Sequence, residues 1–121
     1  MAVGRRPAGP LKTTYHLVPA DVWATQAPDA PYAAASLGSE GFTHCTDGVE
    51  AMVATANRFY GTDRRSFVVL TIDLDALSVP WRYDDPGLPF PHIYGQIDSR
   101  AIVATTSIPR DDDGRFLPFP G

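Results

Sequence analysis

Cysteine, lysine and long apolar runs are scarce in this sequence of 121 residues. Cys45 is the only cysteine, so an internal disulfide is excluded and a reducing, cytoplasmic location is expected. No apolar run is long enough to cross a bilayer, so we expect no membrane association. Residues 1–12 carry Arg5 and Arg6 without a following apolar stretch, which indicates a disordered N-terminal extension rather than a secretory signal.

Positive charge is scarce as well, because ten basic residues face fourteen acidic ones and the formal net charge is -4. Proteins that bind nucleic acid normally carry a basic stripe or patch, and this sequence has none. We therefore expect no nucleic-acid partner. The hydrophobic fraction of 44% is enough for an ordinary core, and the length fits one domain. The oligomeric state is left open.

Strand-like segments dominate the chain. β-branched and aromatic residues predict strands at residues 13–18, 42–46, 66–73, 79–83, 93–97 and 101–107. The run at 66–73 is almost continuously apolar, which indicates a central strand buried on both faces. Residues 27–41 are rich in Ala, Pro, Gly and Ser and are interpreted as a long loop.

One segment has clear helical periodicity. Its apolar residues recur with the spacing of an amphipathic helix: Val49, Met52, Val53, Ala56, Phe59 and Tyr60. Asp47 and Glu50 have the spacing of a capping box at its start, and Gly61 is typical of the residue that ends a helix.

The order of these elements lacks the regular alternation of a doubly wound sheet. We predict a single α+β domain over residues 13–108. It would contain a mixed or mostly antiparallel sheet of about five or six strands and one main amphipathic helix. Residues 109–121 are charged and then proline-rich, and are expected to form a loosely packed C-terminal tail.

Each of the three histidines lies beside an aromatic residue and near the end of a predicted strand. Imidazole titrates near neutral pH, donates at one nitrogen and accepts at the other, which suits proton transfer and ligand orientation. His44 and His92 are therefore candidate catalytic residues. The candidate ligand-binding residues, which are aromatic or hydrogen-bonding neighbours, are Tyr15, His16, Phe42, Thr46 and Tyr94.

Other interpretations of these residues remain open. Each histidine could be partly buried and satisfy a backbone carbonyl. A zinc site would need ligands at a suitable spacing, and no pair has the His-x-x-x-His spacing, so no metal site is predicted. Cys45 could be a nucleophile beside His44. Because adjacent strand residues point to opposite faces, a structural Cys45 that faces the core is favoured.

The chain resembles a bacterial family of unknown function, the family numbered 952. That family is marked by a Tyr-His pair near the N-terminus, a Trp soon after it, a Gly-Phe-Ile-His-Cys-Ser segment before its main helix, and a Phe-Pro-His-Ile-Tyr-Gly segment. The matching residues of this chain, spread over roughly 13–107, are Tyr15, His16, Trp23 and residues 41–46, 57–60, 69–73 and 90–95.

The resemblance implies an ADP-ribosyltransferase-like fold, which is a mixed split sheet with a small helical layer. In that fold a residue of the first core strand holds the ribose and nicotinamide end of NAD, and His16 matches this position. Residues 42–46 match the second strand. NAD is thus the cofactor that the resemblance implies.

One expected feature of the fold has no counterpart. The catalytic Glu that comes late in such chains is missing, since Glu40 and Glu50 are the only glutamates. The family also often has a Glu after its fourth strand, where Asp84 or Asp85 could substitute as the acid, but before a Pro-Gly pair an ordinary solvated turn is favoured. This departure puts ordinary ADP-ribosyl transfer in doubt.

The sequence is compatible with three functions. The first is a histidine-lined and aromatic pocket for a small-molecule ligand, which would bind or process NAD or a related nucleotide. The second is a non-catalytic metabolite-binding module with the same pocket, which the missing late Glu favours. The third is a protein-interaction domain that uses the long loop and the C-terminal tail.

Overall fold

A computed structural model describes residues 12–121, so all but the last residue of the expected N-terminal extension lies outside the described residues. The elements follow in the order β1 (Thr13–Pro19), α1 (Ala20–Ala24), α2 (Ala35–Glu40), β2 (Thr43–His44), α3 (Val49–Tyr60), β3 (Phe67–Asp73), β4 (Trp81–Arg82), β5 (His92–Ile93) and β6 (Ile102–Ser107). Two single turns of 3-10 helix, Leu74–Ala76 and Ser99–Ala101, precede β4 and β6. No helix within residues 12–121 is long and apolar enough to cross a membrane.

The larger sheet has the order β1-β3-β6, and both pairs of strands are antiparallel. β3 lies in the middle, and its Val69, Leu70 and Ile72 are fully buried. The prediction of a central strand buried on both faces is therefore confirmed. Side chains of β3 alternate between two apolar clusters, one on each face of the sheet, because successive strand residues point in opposite directions.

A smaller antiparallel sheet has the order β2-β5-β4, with two residues in each strand. It adjoins the larger sheet where the backbones of Tyr15 and Thr46 exchange hydrogen bonds of 3.0 and 2.8 Å. The α+β class and the antiparallel pairing are thus confirmed, with six strands of residues 12–121 divided between two sheets. The strands predicted at 42–46, 79–83 and 93–97 are much shorter than expected.

Prolines and a close backbone contact explain the short strands. Pro80 and Pro91, which have no N–H to donate, directly precede β4 and β5. After β5 the chain passes Gly95, where a β-carbon would lie 2.5 Å from a methyl carbon of Val79. A regular ladder therefore ends soon after Ile93.

Helix α3 spans the predicted residues, and its Met52 and Ala56 are buried. Its predicted capping box is wrong. Gly48 is the N-cap residue, and the Asp47 carboxylate accepts a 2.5 Å hydrogen bond from the Tyr83 hydroxyl instead of capping the helix. Gly61 ends the helix as predicted: it is the C-cap residue, with a φ of -59°.

The C-terminal segment is packed, in contrast to the loose tail expected for residues 109–121. Phe116 and Phe119 are 1% and 5% exposed and belong to the same apolar cluster as Tyr15 and Phe67. The Asn57 side chain bonds both the N–H and the carbonyl of Phe116, at 2.7 and 3.1 Å. Burial of two phenylalanines outweighs the polar and proline-rich composition from which the loose tail was inferred.

Candidate functional site

Three nitrogen-bearing side chains form a row across the small sheet. His44 of β2 is the direct partner of His92 of β5, and His92 is the direct partner of Arg82 of β4. Residues opposite each other in antiparallel strands project to the same face. The two imidazole centroids are accordingly 5.4 Å apart. The structure thus brings the two predicted catalytic histidines together, and sets an arginine beside them.

Aromatic rings flank this row. Phe42 stacks on His92 with centroids 4.0 Å apart and an angle of 18°, and meets His44 edge-on at 4.9 Å. Tyr94 lies 5.5 Å from Phe42, and the Arg82 guanidinium lies 4.2 Å from the centre of the Tyr94 ring. The side chain of His44 is 54% exposed and that of His92 is 13% exposed. Together Phe42, His44, Arg82, Asp84, His92 and Tyr94 form what we call the histidine face.

Each histidine of this face contacts a carboxylate. His44 Nε2 lies 3.0 Å from Glu40 Oε2, and His92 Nδ1 lies 2.7 Å from Asp84 Oδ2. Because an ionised carboxylate can only accept, the facing nitrogen must carry the proton. In the neutral rings this leaves His44 Nδ1 and His92 Nε2 as proton acceptors. Two neighbouring imidazoles with defined tautomers, here with ring planes at 83°, can take a proton from one group and give one to another.

Asp84 connects the histidine face. Its carboxylate accepts from the Tyr94 hydroxyl, from Arg82 Nε at 2.7 Å and from His92. These hydrogen bonds, first from Tyr94, then from Arg82 and His92, hold the pKa of Asp84 far below its usual value. Asp84 and Asp85 are both exposed in the turn, as expected, but Asp84 also accepts three side-chain hydrogen bonds, which an ordinary solvated turn does not predict.

His16 lies behind this face rather than on it. It is buried, its Nδ1 lies 2.8 Å from the carbonyl oxygen of His44, and its Nε2 lies 3.0 Å from the Tyr32 hydroxyl. A carbonyl only accepts, so Nδ1 carries the proton and Nε2 accepts from Tyr32. Burial lowers the pKa of His16 from 6.5 to about 4, which keeps the ring neutral. Both ring nitrogens are used within the protein.

The other predicted ligand contacts lie in the interior. Tyr15 and Thr46 are buried where the two sheets adjoin, and Tyr15 packs edge-on against Phe119 with centroids 5.2 Å apart. Cys45 is buried as expected, and burial raises the pKa of its thiol. A buried thiol of this kind is a poor nucleophile. Of the seven predicted site residues, Phe42, His44, His92 and Tyr94 thus share one face.

Sequence reasoning missed Glu40 and Arg82 as site residues, and it considered Asp84 as an acid but favoured a solvated turn. Arg82 and Asp84 flank Tyr83 in a strand-like segment, so an alternating pattern placed them on one side. What the sequence does not show is that this segment pairs with the strand that carries His92. Glu40 lies four residues before His44, across the turn that Gly41 makes with a φ of +88°. Only glycine adopts such a φ without strain.

The histidine face is a surface rather than an enclosed pocket. Two cavities, of about 300 and 350 Å³, lie elsewhere, and no histidine lines either of them. The first lies beside Trp23 and Ile102, and the second beside Arg64 and Arg110. Within residues 12–121 no three His, Cys, Asp or Glu side chains form a group that could hold a metal ion.

The chain is similar to one protein family and to three solved structures of one bacterial protein. A model of the family described as "Protein of unknown function (DUF952)" matches residues 17–105. Two crystal structures of protein CC0527 from Caulobacter crescentus, one of a double mutant, align with TM-scores of 0.69 and 0.67 at 20% and 22% identity. Each alignment covers 88% of this chain and 94% of CC0527. A solution NMR structure of CC0527 aligns with a TM-score of 0.64 at 22% identity, over 84% and 89% of the two chains.

At this identity the likeness to CC0527 establishes the shared fold alone. No protein with a curated description matches the chain significantly. The family match covers the small sheet, helix α3, most of the larger sheet and two of the three histidines, His44 and His92, whereas His16 directly precedes it. The chain is therefore a member of the DUF952 family of proteins of unknown function.

Proposed function

We propose that the protein binds an anionic nucleotide, NAD or a related molecule, at the histidine face and transfers a proton on it. The observation that carries the proposal is the direct pairing of His44 with His92, each held by its own carboxylate. Such pairs of oriented imidazoles serve as general acid and base in many enzymes.

Arg82 gives this face its affinity for an anion. Its guanidinium is always charged, and its donors suit a phosphate or carboxylate group of the ligand. The arginine lies beside His92 in the row and over the Tyr94 ring, with its side chain 63% exposed. A phosphate bound here would lie within reach of both histidines, since the three residues are consecutive partners across the small sheet.

The aromatic rings supply the second half of a nucleotide site. Phe42 and Tyr94 offer apolar surface next to the row, and a base or nicotinamide ring needs such surface to stack on. His16 would act through the carbonyl of His44 and not by touching the ligand, because both its nitrogens are already bonded. Tyr15 and Thr46 would support the junction of the two sheets in the same indirect way.

The ADP-ribosyltransferase-like arrangement is part of this proposal. The resemblance implies a split sheet, and two three-stranded sheets joined at Tyr15 and Thr46 support it. Although the late Glu of that fold is missing, Asp84 supplies an acidic side chain at the candidate site. Its contact with His92 favours a role in orienting that ring.

The experiment compares two arginine variants by calorimetric titration with ADP-ribose and NAD. Arg82→Gln removes the charge from the histidine face, whereas Arg100→Gln removes a similarly exposed charge that pairs with Asp98, outside the histidine face. Losing a charge-assisted hydrogen bond costs about 1.5–3 kcal/mol, so Arg82→Gln should weaken binding roughly tenfold or more. Arg100→Gln should leave it unchanged. Equal affinities for both variants, or no binding by the unaltered protein, would refute the proposal.

Proton transfer is tested separately on His44. If the unaltered protein converts a bound nucleotide, His44→Gln should lower turnover about 10²- to 10⁴-fold, the usual contribution of a general acid or base. Recovery of every bound nucleotide unchanged would reject proton transfer and leave the non-catalytic binding module.

A further inference from the structure

A cavity of about 300 Å³ lies between the chain that follows α1, the turn at Ser99 and strand β6. Its walls include Trp23, Gln26, Ala30, Ser99, Ile102 and Thr105. We propose that this cavity is a second ligand site, specific for a neutral, planar heteroaromatic molecule that carries a hydrogen-bonding edge. None of the residues of the histidine face lines it, so the proposal stands apart from the function proposed above.

Because no charged side chain lines this cavity, its ligand should be neutral. Every residue that lines the cavity is apolar, amide-bearing or hydroxyl-bearing. A carboxylate or ammonium group that entered it would lose water without gaining a charged partner, which is costly. Trp23 and Ile102 offer apolar surface, and an indole favours a planar ring as its neighbour. The volume is at the small end of the range for ligand pockets, which suits one or two fused rings.

Gln26 sets the hydrogen-bonding pattern. Its Nε2 donates to the carbonyls of Ala30 and Pro31, at 3.0 and 3.2 Å. Because those carbonyls only accept, the amide cannot be turned round, and its oxygen is the atom left to accept from a ligand N–H. The hydroxyls of Ser99 and Thr105 can donate to a ligand carbonyl. A cyclic amide carries an N–H donor and a carbonyl acceptor on adjacent atoms, so it would match both the Gln26 oxygen and a hydroxyl of the cavity.

The cavity is held open by neighbouring structure. Tyr32 and Ile97 exchange backbone hydrogen bonds of 2.9 and 2.8 Å, which fix the end of the loop that carries Gln26 and Ala30. Trp23 packs edge-on against Tyr32 with ring centroids 5.6 Å apart. A site of this kind is preformed, so the binding free energy is not spent on ordering the loop.

The test uses NMR titration with 2-quinolinone, a neutral bicyclic lactam, and with quinoline-2-carboxylate as its anionic counterpart. The chain has two tryptophans, and Trp81→Phe identifies the indole N–H signal of Trp23. The expected result is saturable shifts at Trp23, Ser99 and Thr105 with the lactam. The carboxylate should bind at least about tenfold more weakly because it would be buried without a partner.

A matched pair of variants locates the site. Ala30→Leu adds bulk to the wall of the cavity and should abolish the shifts, whereas Ala24→Leu makes the same change at an exposed residue outside it and should not. Should Ala30→Leu fail to fold, the map of shifts in the unaltered protein still decides. No saturable shift at millimolar lactam, shifts centred on His44 and His92, or equal binding of the two ligands would each overturn the proposal.

Discussion

His44 and His92 face each other as direct partners on antiparallel strands, yet they present opposite nitrogens to their carboxylates. His44 uses Nε2 toward Glu40, whereas His92 uses Nδ1 toward Asp84. We therefore predict that the neutral rings are opposite tautomers, with the proton on Nε2 of His44 and on Nδ1 of His92. Long-range ¹H–¹⁵N NMR of the imidazole nitrogens measures this directly. Identical tautomers in the two rings would contradict the hydrogen bonds described here.

Asp84 and its neighbour Asp85 offer a matched pair of substitutions. Asp84→Ala removes the acceptor that Arg82, His92 and Tyr94 share, so His92 should lose its preference for the Nδ1–H tautomer. Asp85→Ala should leave the tautomer unchanged, since Asp85 is exposed outside the histidine face. The imidazole ¹⁵N shifts of the two variants give the comparison. A His92 ring that is unaffected by Asp84→Ala would show that another group orients it.

His16 should make the stability of the protein depend on pH. Its pKa is 6.5 in the unfolded chain and about 4 in the fold, because burial disfavours the charged ring. Between these values the unfolded state binds more protons, so stability falls as the pH falls. The unfolding free energy at pH 4 should therefore be lower than at pH 6.5 by about 3 kcal/mol at most.

The variant His16→Asn isolates this effect. Asparagine keeps a donor for the His44 carbonyl but has no proton to gain in this range, so the slope of unfolding free energy between pH 6.5 and 4 should decrease. Urea unfolding at a series of pH values measures the slope. The same slope in the variant and the unaltered protein would mean that His16 is protonated in the fold.

Two phenylalanines test the packing of the C-terminal segment. Phe116, a residue of that segment, is 1% exposed, whereas Phe59 on helix α3 is 64% exposed. Phe116→Ala should lower the unfolding free energy by about 3–5 kcal/mol, the usual cost of emptying an aromatic site in a core. Phe59→Ala should change it by less than about 0.5 kcal/mol. Equal losses in chemical denaturation, or no loss with Phe116→Ala, would show that the segment is not part of the core.

The sequence predicted the elements that depend on local patterns. Helix α3 follows from apolar periodicity and strand β3 from an almost continuous apolar run, and both lie where these patterns predict them. The C-terminal segment was misjudged because Phe116 and Phe119 lie among prolines and aspartates, where no periodicity marks them as core. Their burial comes from contacts with residues distant in the chain, such as Asn57.

The histidine face shows the same limit at the level of a site. The motifs around His44 and His92 marked them as functional candidates, but no local pattern fixes which short strands pair or in what register. That pairing brought Arg82 and Asp84 to the face. The backbone bridge between Tyr15 and Thr46 joins β1 to the small sheet, and His16 lies behind the face, where its ring bonds the backbone of His44. The sequence therefore singled out four residues of the histidine face, Phe42, His44, His92 and Tyr94, but not Arg82, which only the pairing of the short strands brings there.

The most direct test of the proposed function is NMR titration of the unaltered protein with ADP-ribose, followed at the three histidines. A nucleotide at the histidine face should give saturable shifts at His44 and His92, with a smaller shift at His16, which lies one hydrogen bond away. Shifts confined to residues outside the histidine face, or none at millimolar ADP-ribose, would contradict the assignment of a nucleotide site to the paired histidines.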